Sequence, residues 1–212
     1  MMTATERLIE SPACVAEGAV WLAAHDARFA AVLAQVGTLP LRRYGEGFPA
    51  LLDAILGQQV STASAAAVRA RLDAAEIFHE DGIAAASDDA LRACGLSRQK
   101  IRYARALAEA RLDFAALRDL SSEQVIATLV ALPGIGSWTA EIYAMFSLGR
   151  ADVFAPGDLA LQEAARRIFD LPARPKERDF RVMAEAWSPW RSVAARLLWS
   201  YYLMDTTREG IR

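Results

Sequence analysis

From Ser11 onward, apolar residues recur at three- and four-residue spacing in one segment after another, and serine or glycine marks most of the segment ends. That combination is the period and the punctuation of α-helices. "SPACVAEGAVWLAAHDARFAAVLAQVG" predicts one helix that begins near Pro12 and stops at Gly37. A Pro/Gly linker, "TLPLRRYGEGFP", follows. "ALLDAILGQQ" and "STASAAAVRARLDAA" read as two helices that meet at Gln59 to Ser61, with Ser61 as an N-cap. "SDDALRACG" and "SRQKIRYARALAEA" each open on a serine and are separated by Gly95. In "SSEQVIATLVAL", Ser121 and Gln124 stand at capping-box spacing. "SWTAEIYAMFSLG" runs to a stop at Gly149. A loop with Pro156 and Gly157 leads into "DLALQEAARRIF", and the last quarter reads as two helices broken at Pro189. No useful run alternates with period two, so the expectation is an all-α protein of about ten helices.

Composition narrows the function classes. The chain has 212 residues and a hydrophobic fraction of 54%, which suits a packed core and argues against disorder. No apolar run reaches the roughly 18 to 20 residues that span a bilayer. The N-terminus lacks a basic stretch followed by an apolar one, so cytoplasmic residence without membrane association is expected. Two cysteines, Cys14 and Cys94, cannot supply four ligands to a zinc or iron–sulfur centre. Two histidines, His25 and His79, give little support to a His-based metal site, and surface or packing roles are expected of them. The net charge of −2 is unusual for a nucleic-acid binder. Between Leu96 and Arg118, however, six basic residues (Arg98, Lys100, Arg102, Arg105, Arg111 and Arg118) face only Glu109 and Asp113, a net of +4. Taken alone, that stretch reads sooner as a solvated helix face than as a phosphate-binding surface.

The segment "LPGIG" joins two amphipathic helices. Pro133 cannot continue the first. Gly134 and Gly136 tolerate positive φ and leave no Cβ between the backbone and a ligand. The second helix starts at once, so its free N–H groups and positive dipole end form an anion site that takes a phosphodiester without Lys or Arg. A tight helix–helix turn that binds nothing is the structural alternative.

At this point the sequence resembles the helix-hairpin-helix DNA glycosylases, most closely the bacterial 3-methyladenine DNA glycosylase II type. Five blocks in order carry the resemblance from about Phe48 to Tyr202: "AILGQQVS", "GLSRQKIRYARALA", "LPGIGSWTAEIYA", "DVFAPGDLAL" and "WSPWRSVAARLLW". The larger bacterial members have an extra N-terminal β-rich domain, and the compact form without it is expected here. The resemblance implies a single glycosylase domain over 1–212 in two lobes with the hairpin at the cleft between them. Lobe one covers about 46–149 and includes the hairpin at 121–148. Lobe two packs about 1–45 with 150–212.

The resemblance also assigns roles. Asp158 matches the catalytic aspartate, although from spacing alone it is an ordinary N-cap. Breaking an N-glycosidic bond builds positive charge on the deoxyribose, which a desolvated carboxylate stabilises; the same group can orient or deprotonate the attacking water. Trp138 stands where strand-cutting members carry the lysine that forms a Schiff base, so a monofunctional hydrolase without lyase activity is implied. Trp138, Trp199 and Tyr143 are the implied base pocket, where indole faces attract the cationic N3- and N7-alkylated purines. Trp199 otherwise reads as core, and Trp187 and Trp190 read as packing. Ile142 departs from the bacterial prototype, which has an aromatic residue there. Gln59 matches the wedge of the closest relatives and Gln58 that of the strand-cutting branch, against a helix-capping amide as the plain alternative. Gly134, Ile135, Gly136 and Thr139 are implied to hold the DNA backbone. The carbonyls of Val130, Leu132 and Ile135 match a structural Na+ or K+ site; no catalytic cofactor and no iron–sulfur cluster are expected. The reading is therefore a monomeric, bacterial-type, nucleoid-associated base-excision enzyme. It would flip alkylated purines such as 3-methyladenine from duplex DNA and release them. A non-catalytic helix-hairpin-helix protein that binds distorted DNA is the alternative, and a helical protein with no nucleic-acid role draws only on the charge.

Overall fold

The computed structural model describes residues 6–208. Twelve α-helices follow one another among the described residues. They are α1 (Pro12–His25), α2 (Ala27–Val36), α3 (Phe48–Gly57), α4 (Thr62–Ala74), α5 (Glu80–Ala85), α6 (Asp88–Ala93), α7 (Arg98–Glu109), α8 (Ser122–Val130), α9 (Ser137–Ile142), α10 (Leu159–Ile168), α11 (Glu177–Met183) and α12 (Arg191–Arg208). Short 3-10 helices occupy Ala116–Asp119 and Ala184–Trp187, and Tyr143–Ser147 is π-helical. Pairing of β type among the described residues is an isolated antiparallel bridge between Leu8 and Arg150.

The serine signals mark real helix starts. Ser11, Ser61, Ser87, Ser97 and Ser121 each accept a hydrogen bond from the backbone N–H three residues on. A cap of this kind is worth about 1 kcal/mol. Ser121 and Gln124 complete a reciprocal capping box. Two helices exceed the expected ten for identifiable reasons. The long N-terminal segment is two helices, because Asp26 ends one and begins the next. Its N–H donates to Leu22 O, and its carboxylate accepts from Arg28 N–H at 2.9 Å. An aspartate that satisfies the next turn's donors competes with helix continuation. The other addition is α5, opened by His79, whose Nδ1 accepts from Gly82 N–H at 3.0 Å. His25 stacks on Trp21 with ring centroids 3.7 Å apart.

The chain forms two compact units. One is discontinuous, ending at Arg43 and resuming at Ala144, and the other is central, Tyr44–Tyr143. The second boundary thus falls earlier than the expected 149.

In the discontinuous unit, Trp187 is the centre of an aromatic core. The rings of Phe29, Phe154, Phe169 and Phe180 surround it at 5.3 to 5.9 Å, mostly edge to face. Trp190 is also buried and fills the space a Cβ on Gly18 would need. Both tryptophans are packing residues, as expected. Ser192, in the first turn of α12, fastens the start of that helix: its hydroxyl donates to Arg150 O at 2.6 Å, with Val153 O at 3.1 Å.

The central unit holds α3 to α9. Leu51, Leu52, Ile55 and Leu56 of α3 are buried, as are Ile101, Ala104 and Leu107 of α7. Each leucine or isoleucine so buried contributes about 1.5 to 3 kcal/mol.

Candidate active site

The hairpin assigns different work to its two glycines. Leu132 to Ile135 make a tight turn closed by Ile135 N–H donating to Leu132 O at 3.1 Å. Gly134 sits at φ +91°, and a Cβ there would overlap the ring of Tyr103. Glycine is therefore required by both the turn and its packing. Gly136 has φ −89° and ψ 171°, conformations open to any residue, and a Cβ there would meet nothing within 4 Å. Its free space lies beside the first N–H groups of α9, which Gly136, as the N-cap, has no side chain to bond. The open approach belongs to Gly136. Ile135 and Thr139 are buried.

Behind the turn, Gln58 Nε2 donates to Gly134 O at 2.8 Å, so this amide is committed to the hairpin. Gln59 is exposed and held at φ +57°, at the point where α3 gives way to α4. Lys100 Nζ donates to Leu56 O at 2.6 Å and closes the end of α3; burial lowers its pKa. Gln58, Gln59, Ser97, Gln99, Lys100 and Tyr103 line a groove of about 240 Å³.

Most of the +4 stretch is consumed within the unit. Arg105 pairs with Asp88 and donates to the carbonyls of Ile83, Ala84 and Ala86. Arg111 pairs with Asp81, and Arg118 with Glu46. The basic run is thus in good part a set of internal ties.

Trp138, in the first turn of α9, is 46% exposed. Tyr143, one residue past the end of that helix, is buried, and its hydroxyl accepts from Gly47 N–H at 2.9 Å. Burial pushes its phenol pKa up. That hydroxyl fastens the start of α3, where Gly47 at φ +81° is the N-cap.

In the discontinuous unit, Asp158 is the N-cap of α10. Its Oδ1 accepts from Ala160 N–H at 2.9 Å and Leu161 N–H at 3.0 Å. Trp199 Nε1–H points at the same oxygen from 3.3 Å. Trp199 is 9% exposed and lies 5.6 Å from the ring of Phe146. Gln162, one turn into α10, donates to Pro156 O at 2.8 Å and holds the loop that delivers the acid. The result is a carboxylate of fixed orientation beside an indole, with its charge at a helix N-terminus. Of the sequence-derived site residues, Asp158 and Trp199 are therefore joined directly, and Gln58 is joined to the hairpin. Tyr103 and Phe146 were not foreseen, since nothing in local spacing marks a residue that backs another.

Among the described residues, no group of three or more His, Cys, Asp or Glu side chains is arranged to hold a metal ion, and no helix is long and apolar enough to cross a membrane. Cys14 and Cys94 are free thiols.

An all-helical chain with a glycine hairpin between two helices and an acid capped against an indole has the form of a helix-hairpin-helix DNA-repair protein. The chain belongs to the HhH-GPD superfamily of base excision DNA repair proteins, whose family model matches residues 52–192. It is 33% identical over 189 residues to DNA-3-methyladenine glycosylase 2 of Escherichia coli, covering 77% of this chain and 63% of that protein. A DNA-3-methyladenine glycosidase from Bacillus halodurans superposes with a TM-score of 0.80 at 30% identity, over 96% of this chain and 95% of that one. The 3-methyladenine DNA glycosylase Mag1 of Schizosaccharomyces pombe, solved in complex with abasic DNA, gives 0.73 at 28% identity, over 86% and 95%.

Proposed function

We propose that the protein is a monofunctional DNA N-glycosylase that releases N3- and N7-alkylated purines, such as 3-methyladenine, from duplex DNA. The observation that carries this reading is the Asp158 carboxylate, fixed by two backbone N–H groups and faced by the Trp199 indole N–H. As the bond between base and C1′ breaks, its electron pair leaves with the base and positive charge grows on the sugar. A carboxylate already oriented stabilises that charge without reorganising. Water then adds at C1′ and loses a proton, for which Asp158 is the nearby base. Trp138 offers no amine, so no Schiff base forms there and the product is an abasic site.

In this reading the partner is double-stranded DNA. Gly134, Ile135, Gly136 and Thr139 meet one phosphate through backbone groups, and Gln59, exposed on its turn, enters the gap left by the flipped base. Tyr143 supports the pocket through α3 rather than through its hydroxyl. The carbonyls of Val130, Leu132 and Ile135 are uncharged hard oxygens within six residues, a donor set suited to Na+ or K+. That ion would be structural. The enzyme acts as a monomer in the cytoplasm, with no catalytic cofactor.

The test incubates purified protein with methylated duplex DNA and resolves released bases by chromatography. Release of 3-methyladenine is expected. Asp158→Asn keeps an N-cap and is expected to bind abasic-analogue duplex as before while release falls about 10³-fold. Binding without any release by the unsubstituted protein would establish the non-catalytic alternative instead.

A further inference from the structure

Arg42 has a backbone that few non-glycine residues adopt, with φ at +45°. The conformation is held from α12 by Arg196, which is fully buried. Arg196 Nε donates to Leu41 O at 3.0 Å, Nη2 to Arg42 O at 3.4 Å and Nη1 to Ser192 O at 2.8 Å. Its guanidinium carbon lies 4.7 Å from the ring centroid of Phe146. Trp199 follows three residues later on the same helix, so the residue that clamps the Leu41–Arg42 strap and the indole share one face. The clamped strap brings the guanidinium carbon of Arg42 to 5.8 Å from the centroid of the Trp199 ring, within cation–π range. At its N–H edge the same indole is bonded to Asp158.

We infer that Arg42 is a specificity-determining residue that lowers the preference of Trp199 for purines carrying positive charge. The inference rests on the glycosylase reading above. An indole attracts cations through its π face. Here the protein supplies a cation of its own to that ring, and a cationic base brought against it meets both competition for the ring and repulsion from the guanidinium. A neutral purine meets neither. The clamp matters because an arginine on a free strap would swing away at little cost. At φ +45°, with its carbonyl held by Arg196, the strap gives Arg42 a defined place from which to act.

The test compares kcat/KM for release of 7-methylguanine, a cation, with that of hypoxanthine, a neutral purine, in otherwise identical duplexes. Arg42→Gln is expected to raise the ratio of 7-methylguanine to hypoxanthine about three- to tenfold, the size of one cation–π contact, with the change carried by 7-methylguanine. Arg42→Lys is expected to leave the ratio where it is. Affinity for an abasic-analogue duplex is expected to change less than about twofold in either variant. If Arg42→Gln lowers Tm, Arg42→Gly removes the same guanidinium while relieving the positive φ, and the same rise is expected of it. An unchanged ratio overturns the inference. So does a parallel loss of both activities together with abasic-duplex affinity, which would make Arg42 a phosphate contact. Absence of any base release by the unsubstituted protein would instead sink the glycosylase reading, and the specificity role with it.

Discussion

The two units handle their functional groups in opposite ways. In the discontinuous unit, Asp158 is fixed by its own structure: its Oδ1 caps α10 and meets the Trp199 indole. In the central unit, the hairpin around Gly136 is left open, with an N-cap that has no side chain to bond the first N–H groups of α9 and no neighbour where a Cβ would stand. A group that must stabilise developing charge gains from being immobile before the substrate arrives. A group that must receive a polymer backbone gains from being bare. Within the open hairpin the same contrast recurs, since Gly134 is packed against Tyr103 and Gly136 is not.

That contrast can be broken by experiment, the largest effect coming from the acid. Asp158→Ala should silence release as Asp158→Asn does, and in addition lose about 1 kcal/mol of stability by urea denaturation, because only asparagine still caps α10. Equal stability of the two variants would mean that capping and chemistry are not joined at this residue. Gly134→Ala comes next. A Cβ at φ +91° against the Tyr103 ring should cost about 2 to 4 kcal/mol, read as a fall in Tm. A variant as stable as the parent would contradict the packing described for the turn. Trp199→Phe keeps a ring but removes the N–H aimed at Asp158. It should lower kcat about tenfold, the worth of one hydrogen bond to a charged acceptor, with abasic-duplex affinity nearly unchanged. The smallest effect should come from Gly136→Ala. Its stability should move by less than about 0.5 kcal/mol, while affinity for duplex DNA drops severalfold as the new methyl group holds the phosphate off. If that variant unfolds instead, the open face assigned to Gly136 is wrong.

Much of the fold was legible because it is written locally. Serine caps, the capping box at Ser121 and Gln124, and the glycine stops act within one helical turn, so spacing alone places them. Asp26 was missed because it caps from within a run whose apolar spacing does not change, and His79 because histidine is not among the side chains that ordinarily mark an N-cap. At the site, sequence singled out Asp158 and Trp199 through their family match. What it could not supply was the link between residues 41 positions apart, or which glutamine is tied to Gly134. Charge was the least legible feature. The six basic residues between Arg98 and Arg118 read as a solvated helix face or, less readily, a surface for phosphate, yet Arg105, Arg111 and Arg118 are paired with acids from elsewhere in the unit. Pairing across dozens of residues leaves no trace in a local count.

In the proposed reading Asp158 both caps α10 and serves the chemistry, and that dual duty has an evolutionary corollary. Exchanging one carboxylate oxygen for an amide nitrogen keeps the cap, and with it the fold and the hairpin, while removing the chemistry. A lineage of this protein could therefore pass from repairing lesions to merely sheltering them in a single codon change, without crossing any unstable intermediate.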